Sequence, residues 1–297
     1  MNDILSKIGV NINVTFALIF FSLLWVRVLG MAIMIPFLFG KPVPKYVVVG
    51  SASVLAIFLF PYLMPATQPD LTNDFLMLFM LYLKEAFYGI VMGFSVAIFF
   101  YGFQAAGQMI DGQRGMSIAR SILPQLGEQS ALSGILLFQM AVVLYLSFGG
   151  HLVFLDSFMM SYKALPVLEF PQVGPGLFPL MDLFARITGE VLYIAVQIAA
   201  PIMIAIFVAD IILGLSNRIA PQIDVWMLGF NIKGYVGILL FFTALGMIGN
   251  QVYNYTQKSV IYVETAKKLL EGKPDEVQLE LDKNIEDIKL PMEVITK

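Results

Sequence analysis

FLMLFMLYLKEAFYGIVMGFSVAIFFYGFQAA, residues 75–106, runs directly into GQMIDGQRGMSIARSILPQLGEQS, residues 107–130, and this junction decides what kind of fold the chain can have. The first string holds only two charges, the adjacent Lys84 and Glu85. As one helix it would be about 48 Å long, against about 30 Å of bilayer hydrocarbon, so it must tilt, break or leave the bilayer. The second string is a polar, glycine-punctuated island with Asp111, Arg114, Arg120 and Glu128, and the 25 residues after it carry no charge. Each such charge costs roughly 2.5 to 3.5 kcal/mol at a bilayer centre, so four facing lipid would cost about 10 kcal/mol or more. They must face protein, water or each other. A solvated loop between two spans is the simpler alternative.

A chain of 297 residues with 59% hydrophobic, 13% charged and a mean hydropathy of +0.82 excludes a soluble globule. The expected class is an all-α integral membrane protein of long, broken hydrophobic helices in hairpins. Six segments have the length and apolarity of spans: 14–39, 46–64, 75–106, 131–160, 184–215 and 229–255. Helix-breaking chemistry separates them, as in GKPVP at 40–44 and PATQPD at 65–70. Residues 257–297 carry 7 Lys and 9 acidic residues, leaving 11 basic and 12 acidic for the rest. This predicts a hydrophobic body, 1–256, and a charged tail, 257–297, with a short amphipathic helix on Val263, Ala266, Leu269 and Leu270 ending at Gly272.

Topology is awkward. Six serpentine spans would put Lys41, Lys45, Arg114, Arg120 and Arg218 opposite the lysine-bearing tail, against the positive-inside rule. Either the number of crossings is odd, or some helices are embedded in a larger assembly. Arg27, Arg186, Glu190, Pro201, Asp210 and Gly214 interrupt or flank the apolar segments, which favours protein neighbours over lipid.

Catalytic and ligand-binding constellations are poor. The chain has no cysteine and one histidine, His151, which removes thiolate chemistry and His-pair metal sites. No Walker, dinucleotide or zincin motif occurs, and basic residues are too scattered for a nucleic-acid surface. No enzyme activity, cofactor, metal or nucleic-acid partner is expected.

Three features remain. Gly89, Gly93 and Ala97, at four-residue spacing, lay a smooth stripe for close helix packing. Within the island Asp111 and Arg114 are one helical turn apart, and Pro124 and Gly127 stop any helix before Ser130. A second polar junction, Arg218, Pro221 and Gln222 in RIAPQID at 218–224, echoes RSILPQL at 120–126.

These residues resemble a known family, the SctT component of type III secretion export gates, homologous to flagellar FliR. The resemblance spans most of residues 14–256. It rests on AGQMIDGQRG at 106–115 with GEQS at 127–130, on Gly149-Gly150-His151, and on NRIAPQ at 217–222 with Lys233. Leu123 stands before Pro124 where the family often has Asp. The resemblance implies a bacterial inner-membrane protein that is not an enzyme. It would join SctR-like and SctS-like subunits, meet lipid, and help form and close a channel for unfolded secreted proteins. It further implies a pore plug over Met116, Ile118, Ile122, Leu123, Pro124 and Leu126, flanked by Asp111, Arg114, Arg120 and Glu128, and a cytoplasmic tail near a SctU-like switch protein. A secondary transporter, which would also use broken helices and intramembrane acids, is the alternative.

Overall fold

The computed structural model describes residues 14–39, 43–65, 75–115, 131–170, 177–222 and 224–271. Every regular element among them is a helix: α1 Val14–Met34, α2 Pro36–Phe39, α3 Lys45–Leu63, α4 Phe75–Gln113, α5 Leu132–Ser147, α6 Gly150–Ala164, α7 Leu177–Ile219 and α8 Val225–Leu270. The expected all-α class is therefore what the chain adopts. Five helices are long and apolar enough to cross a membrane, or six if α5 and α6 are one broken span. With 39, 43 and 46 residues, α4, α7 and α8 are about 58 to 69 Å long, roughly twice the hydrocarbon thickness.

Several boundaries differ from those expected. The first apolar segment breaks at Ile35, ahead of Pro36, because proline removes an amide donor and disfavours helix at the preceding residue. The fourth breaks at Gly149, whose φ of +74° only glycine adopts without strain, so His151 begins a helix instead of lying inside one. The island is helical as far as Gln113, and Gly115, at φ +77°, ends it in a left-handed turn. The amphipathic stretch around Val263 is the end of α8 itself, with Val263, Ala266, Leu269 and Leu270 buried.

Hydroxyls within these apolar helices turn inward onto their own backbone. Ser51, Ser95, Ser147, Ser216 and Thr256 each donate to the carbonyl four residues back, at 2.8 to 2.9 Å, which removes their need for water.

The chain forms two compact units. Among the described residues, unit 1 comprises those within 14–97, 151–184 and 259–271, and unit 2 those within 98–150 and 185–258. In unit 1, α1 packs on α3 through the Trp25 indole, which donates to the Ser53 hydroxyl at 3.0 Å, and through Phe20 and Phe21 against Phe60. The core of unit 2 gathers Phe99 and Phe103 around Tyr255, and Phe100 against Tyr145.

Candidate functional site

The Gly89 and Gly93 face of α4 lies against α1. A Cβ on Gly89 would collide with the Arg27 carbonyl, and one on Gly93 would come within 2.8 Å of Met34 Cβ and 2.9 Å of the Met31 carbonyl. Ala97, one turn on, is buried. Gly30 answers from α1, where a Cβ would stand 3.0 Å from the Ala86 carbonyl. Backbones meet here because no side chain intervenes.

This close approach encloses a charge cluster that sequence reasoning did not assemble. Arg27 of α1 is fully buried. Its Nε and Nη2 grip the two carboxylate oxygens of Glu85, Nη2 also donates to the Leu165 carbonyl at 2.9 Å, and Nη1 reaches Ser161. Lys84 Nζ lies 2.9 Å from Glu85 and donates to the carbonyls of Pro166, Val167 and Glu169 at 2.7 to 2.9 Å. The guanidinium lies 4.3 Å from the Tyr162 ring centroid and 5.3 Å from that of Tyr88. Two cations and one carboxylate leave an excess positive charge. It sits where α6 ends and its last carbonyls lack intrahelical partners, so the helix terminus accepts it. The cluster straps residues 165–169 onto α1 and α4. The signal for it was present as Arg27, Lys84 and Glu85 in otherwise apolar runs, but 58 residues separate Arg27 from Glu85 and no local spacing links them.

A second polar site, in unit 2, lies where α4 ends and α5 begins. Asp111 is buried and accepts from the Ser133 amide at 3.0 Å and the Ser133 hydroxyl at 2.6 Å. It thus caps the first turn of α5 from across the chain, filling the role a side-chain oxygen plays at a helix N-terminus. Arg114 Nη1 approaches both Asp111 and Ser133 at 3.4 Å. Its Nε is buried and, among the described residues, has no hydrogen-bond partner. The arginine stem fills a notch at Gly237 of α8, where an added Cβ would lie 2.6 Å from Arg114 Cδ. Gly107 faces Gly134 so closely that a Cβ on Gly107 would overlap the α5 backbone. The two stems of the island are therefore held together. Its interior, with Met116, Ile118, Arg120, Ile122, Leu123, Pro124, Leu126 and Glu128, lies outside the described residues.

Arg218, Pro221 and Gln222 are exposed at the end of α7 and just beyond it. Lys233, in α8, pairs with Asp210 of α7 at 2.5 Å. No group of three His, Asp or Glu capable of holding a metal occurs among the described residues.

Residues 18–259 match the family described as bacterial export proteins, family 1. The chain belongs to this family. It is 31% identical over 254 residues to the Yop proteins translocation protein T of Yersinia pestis, covering 85% of this chain and 94% of that one. It is 29% identical over 251 residues to the flagellar biosynthetic protein FliR of Bacillus subtilis, covering 84% and 94%. It is 26% identical over 218 residues to the surface presentation of antigens protein SpaR of Salmonella typhimurium, covering 71% and 80%. The matched region contains the Arg27 cluster and the Asp111 site. An export protein with several helices of spanning length is a multi-pass inner-membrane protein, and the resemblance drawn from its motifs holds over most of the chain.

Proposed function

We propose that the chain is the SctT-type subunit of the inner-membrane export gate of a type III protein secretion system, helping to form and close the channel for unfolded substrates. The observation that carries this reading is the family match over residues 18–259 together with near-complete coverage of a Yop translocation protein. A secondary transporter is not favoured by relatives named for protein translocation, flagellar biosynthesis and surface presentation of antigens. In this reading the protein performs no catalysis. Its partners are SctR-like and SctS-like subunits in the gate, with a SctU-like switch protein beside a cytoplasmic tail. Beyond α8, which ends at Leu270, residues 272–297 carry 4 Lys and 7 acidic residues, a charge that makes lipid burial costly and supports a separate charged tail there. Polar breaks in apolar helices support assembly with protein neighbours.

The plug assigned to Met116, Ile118, Ile122, Leu123, Pro124 and Leu126 belongs to the same proposal. Its support is an apolar sequence that can block ions by dewetting, between stems clasped through Asp111, Arg114 and Ser133. Arg120 and Glu128 would hold it to neighbouring subunits, and Arg218, Pro221, Gln222 and Lys233 would form a polar junction. Reconstitution tests both levels. Assembled with its two hydrophobic partners, the wild-type gate should keep liposomes tight, and deletion of residues 118–125 should make them leak ions. A monodisperse chain that moves a small solute alone would overturn the gate. An assembled deletion variant as tight as wild type would reduce the segment to a connector.

A further inference from the structure

Within unit 1, the rotation of α6 is fixed from one side. The Phe154 ring meets Phe37 of α2, the Ser161 hydroxyl lies 3.4 Å from Arg27 of α1, and the Tyr162 hydroxyl donates to the Leu24 carbonyl at 3.2 Å. The opposite face therefore points outward, and Leu152, Asp156, Met159, Met160 and Lys163 are all exposed on it. From Leu152 the steps to Asp156, Met159 and Lys163 are four, three and four residues. Helices that meet along a seam use this spacing, and polar residues on such a seam set partner and register.

Neither lipid nor water suits this face. Lys163 can extend its long stem, and its Nζ already lies 5.7 Å from the Tyr62 ring centroid of α3. Asp156 has a single methylene, stands six residues inside α6 from Gly150, and has no ion-pair partner among the described residues. Hydrocarbon would leave that carboxylate uncompensated. Water would solvate both charges but leave Leu152, Met159 and Met160 bare, beside a Tyr62 ring that is 68% exposed. A mainly apolar helix with two charges of its own satisfies both needs. The unbranched thioethers of Met159 and Met160 adapt to the side chains of such a helix.

We propose that the outward face of α6 docks a helix of a neighbouring subunit, which sets a lysine or arginine against Asp156 and an aspartate or glutamate against Lys163. The two pairs stand about 10 Å apart along the axis, with apolar contact over Met159 and Met160 between them. Opposite charges at fixed separation choose the partner and its direction. The inference rests on the proposed gate for the source of the neighbour, and adds the face used and the chemistry that selects it.

A photo-crosslinking amino acid at Met160 in the full-length chain, irradiated in membranes of the producing bacterium before purification, tests it. The expected product is a crosslink to one apolar segment of another protein that carries a basic and an acidic residue about two turns apart. Asp156→Lys should lower the yield about tenfold or more by placing like charges together. Reversing the partner's basic residue to Glu should restore it, which also shows that the variant folds. In a complex that keeps its hydrophobic subunits, several results would overturn the docking site alone: adducts to lipid only, no adduct, a crosslink to a second copy of this chain, a partner segment without the two charges, a yield indifferent to Asp156→Lys, or a loss that the partner's reversal does not recover. If no subunit co-purifies with the wild-type chain, the gate reading fails and this inference fails with it.

Discussion

Unit 1 buries three charges in one network, whereas three ion pairs described in unit 2 have no residue in common, and the two arrangements constrain motion differently. Arg27 and Glu85 are wholly buried, and Arg27 and Lys84 together donate to six further acceptor groups on the segment 161–169. Removing one member strands the others, so the strap and the α1–α4 contact stand or fall together. In unit 2 the pairs Asp111 with Arg114, Asp210 with Lys233 and Glu190 with Lys258 share no residue, and each can break while the rest persist. The stems of the island belong to this second kind. A segment expected to open and close is better hung from exchangeable bonds than from a buried network.

The largest effect is expected from Glu85→Gln. Removing one partner of a buried ion pair costs about 3 to 5 kcal/mol because the remaining charge has no compensation, and here two cations remain. The purified complex should lose most of its thermal stability, and protease should gain access near residues 165–169. Arg27→Met combined with Glu85→Met should cost less than Glu85→Gln alone, since an apolar pair leaves a single charge, Lys84, with its carbonyls. Equal or greater loss in the double variant would mean that the network's value lies in its shape.

Next come the glycines. Gly89→Ala in unit 1 drives a methyl group into the Arg27 carbonyl, and backbone cannot step aside as a flexible side chain would. Overpacking of this kind costs about 1 to 3 kcal/mol, and Gly93→Ile should be severe enough to block assembly. Gly112 in unit 2 has nothing within 4 Å of an added Cβ and lies inside α4, so Gly112→Ala should be neutral or stabilise by up to about 1 kcal/mol. Assembled-complex yield and melting temperature separate the two. Identical behaviour would remove the close α1–α4 approach as a source of stability.

What the sequence made legible follows the range of each interaction. Helix class is a matter of composition over twenty residues, and the pairing of Asp111 with Arg114 is a matter of one turn; both are written locally. The role of Ser133 as the second partner of Asp111 is not, since it depends on Gly107 and Gly134 bringing α4 and α5 together. Arg27 was visible only as an oddity in an apolar run, because its partners lie 58 and 134 to 138 residues away. The extent of α8 was misread for a different reason. Polar residues from Thr256 onward resemble a solvated tail, yet Thr256 bonds its own helix and Tyr262, Val263 and Ala266 are buried, so tertiary packing carries the helix past the change in composition.

The smallest expected effect concerns the Asp210 and Lys233 pair, and it tests where the α7–α8 hairpin of unit 2 stands. Both side chains are partly exposed, at 37% and 24%, among large exposed apolar residues such as Phe207, Ile211 and Phe242. If this face met lipid, neutralising one partner would strand the other charge at about 2.5 to 3.5 kcal/mol. If it meets water or a polar neighbour, the loss is that of a surface pair, about 1 kcal/mol or less. The proposed embedding of these helices in an assembly of protein neighbours requires the second value. Asp210→Asn and Lys233→Gln should therefore each shift the melting temperature of the assembled complex only slightly, and the double variant should lose no more than about 1 kcal/mol, because the pair's coupling is then removed only once. A single substitution that destabilises as strongly as a stranded intramembrane charge, with recovery in the double variant, would return this hairpin to the bilayer and restore the simple serpentine topology.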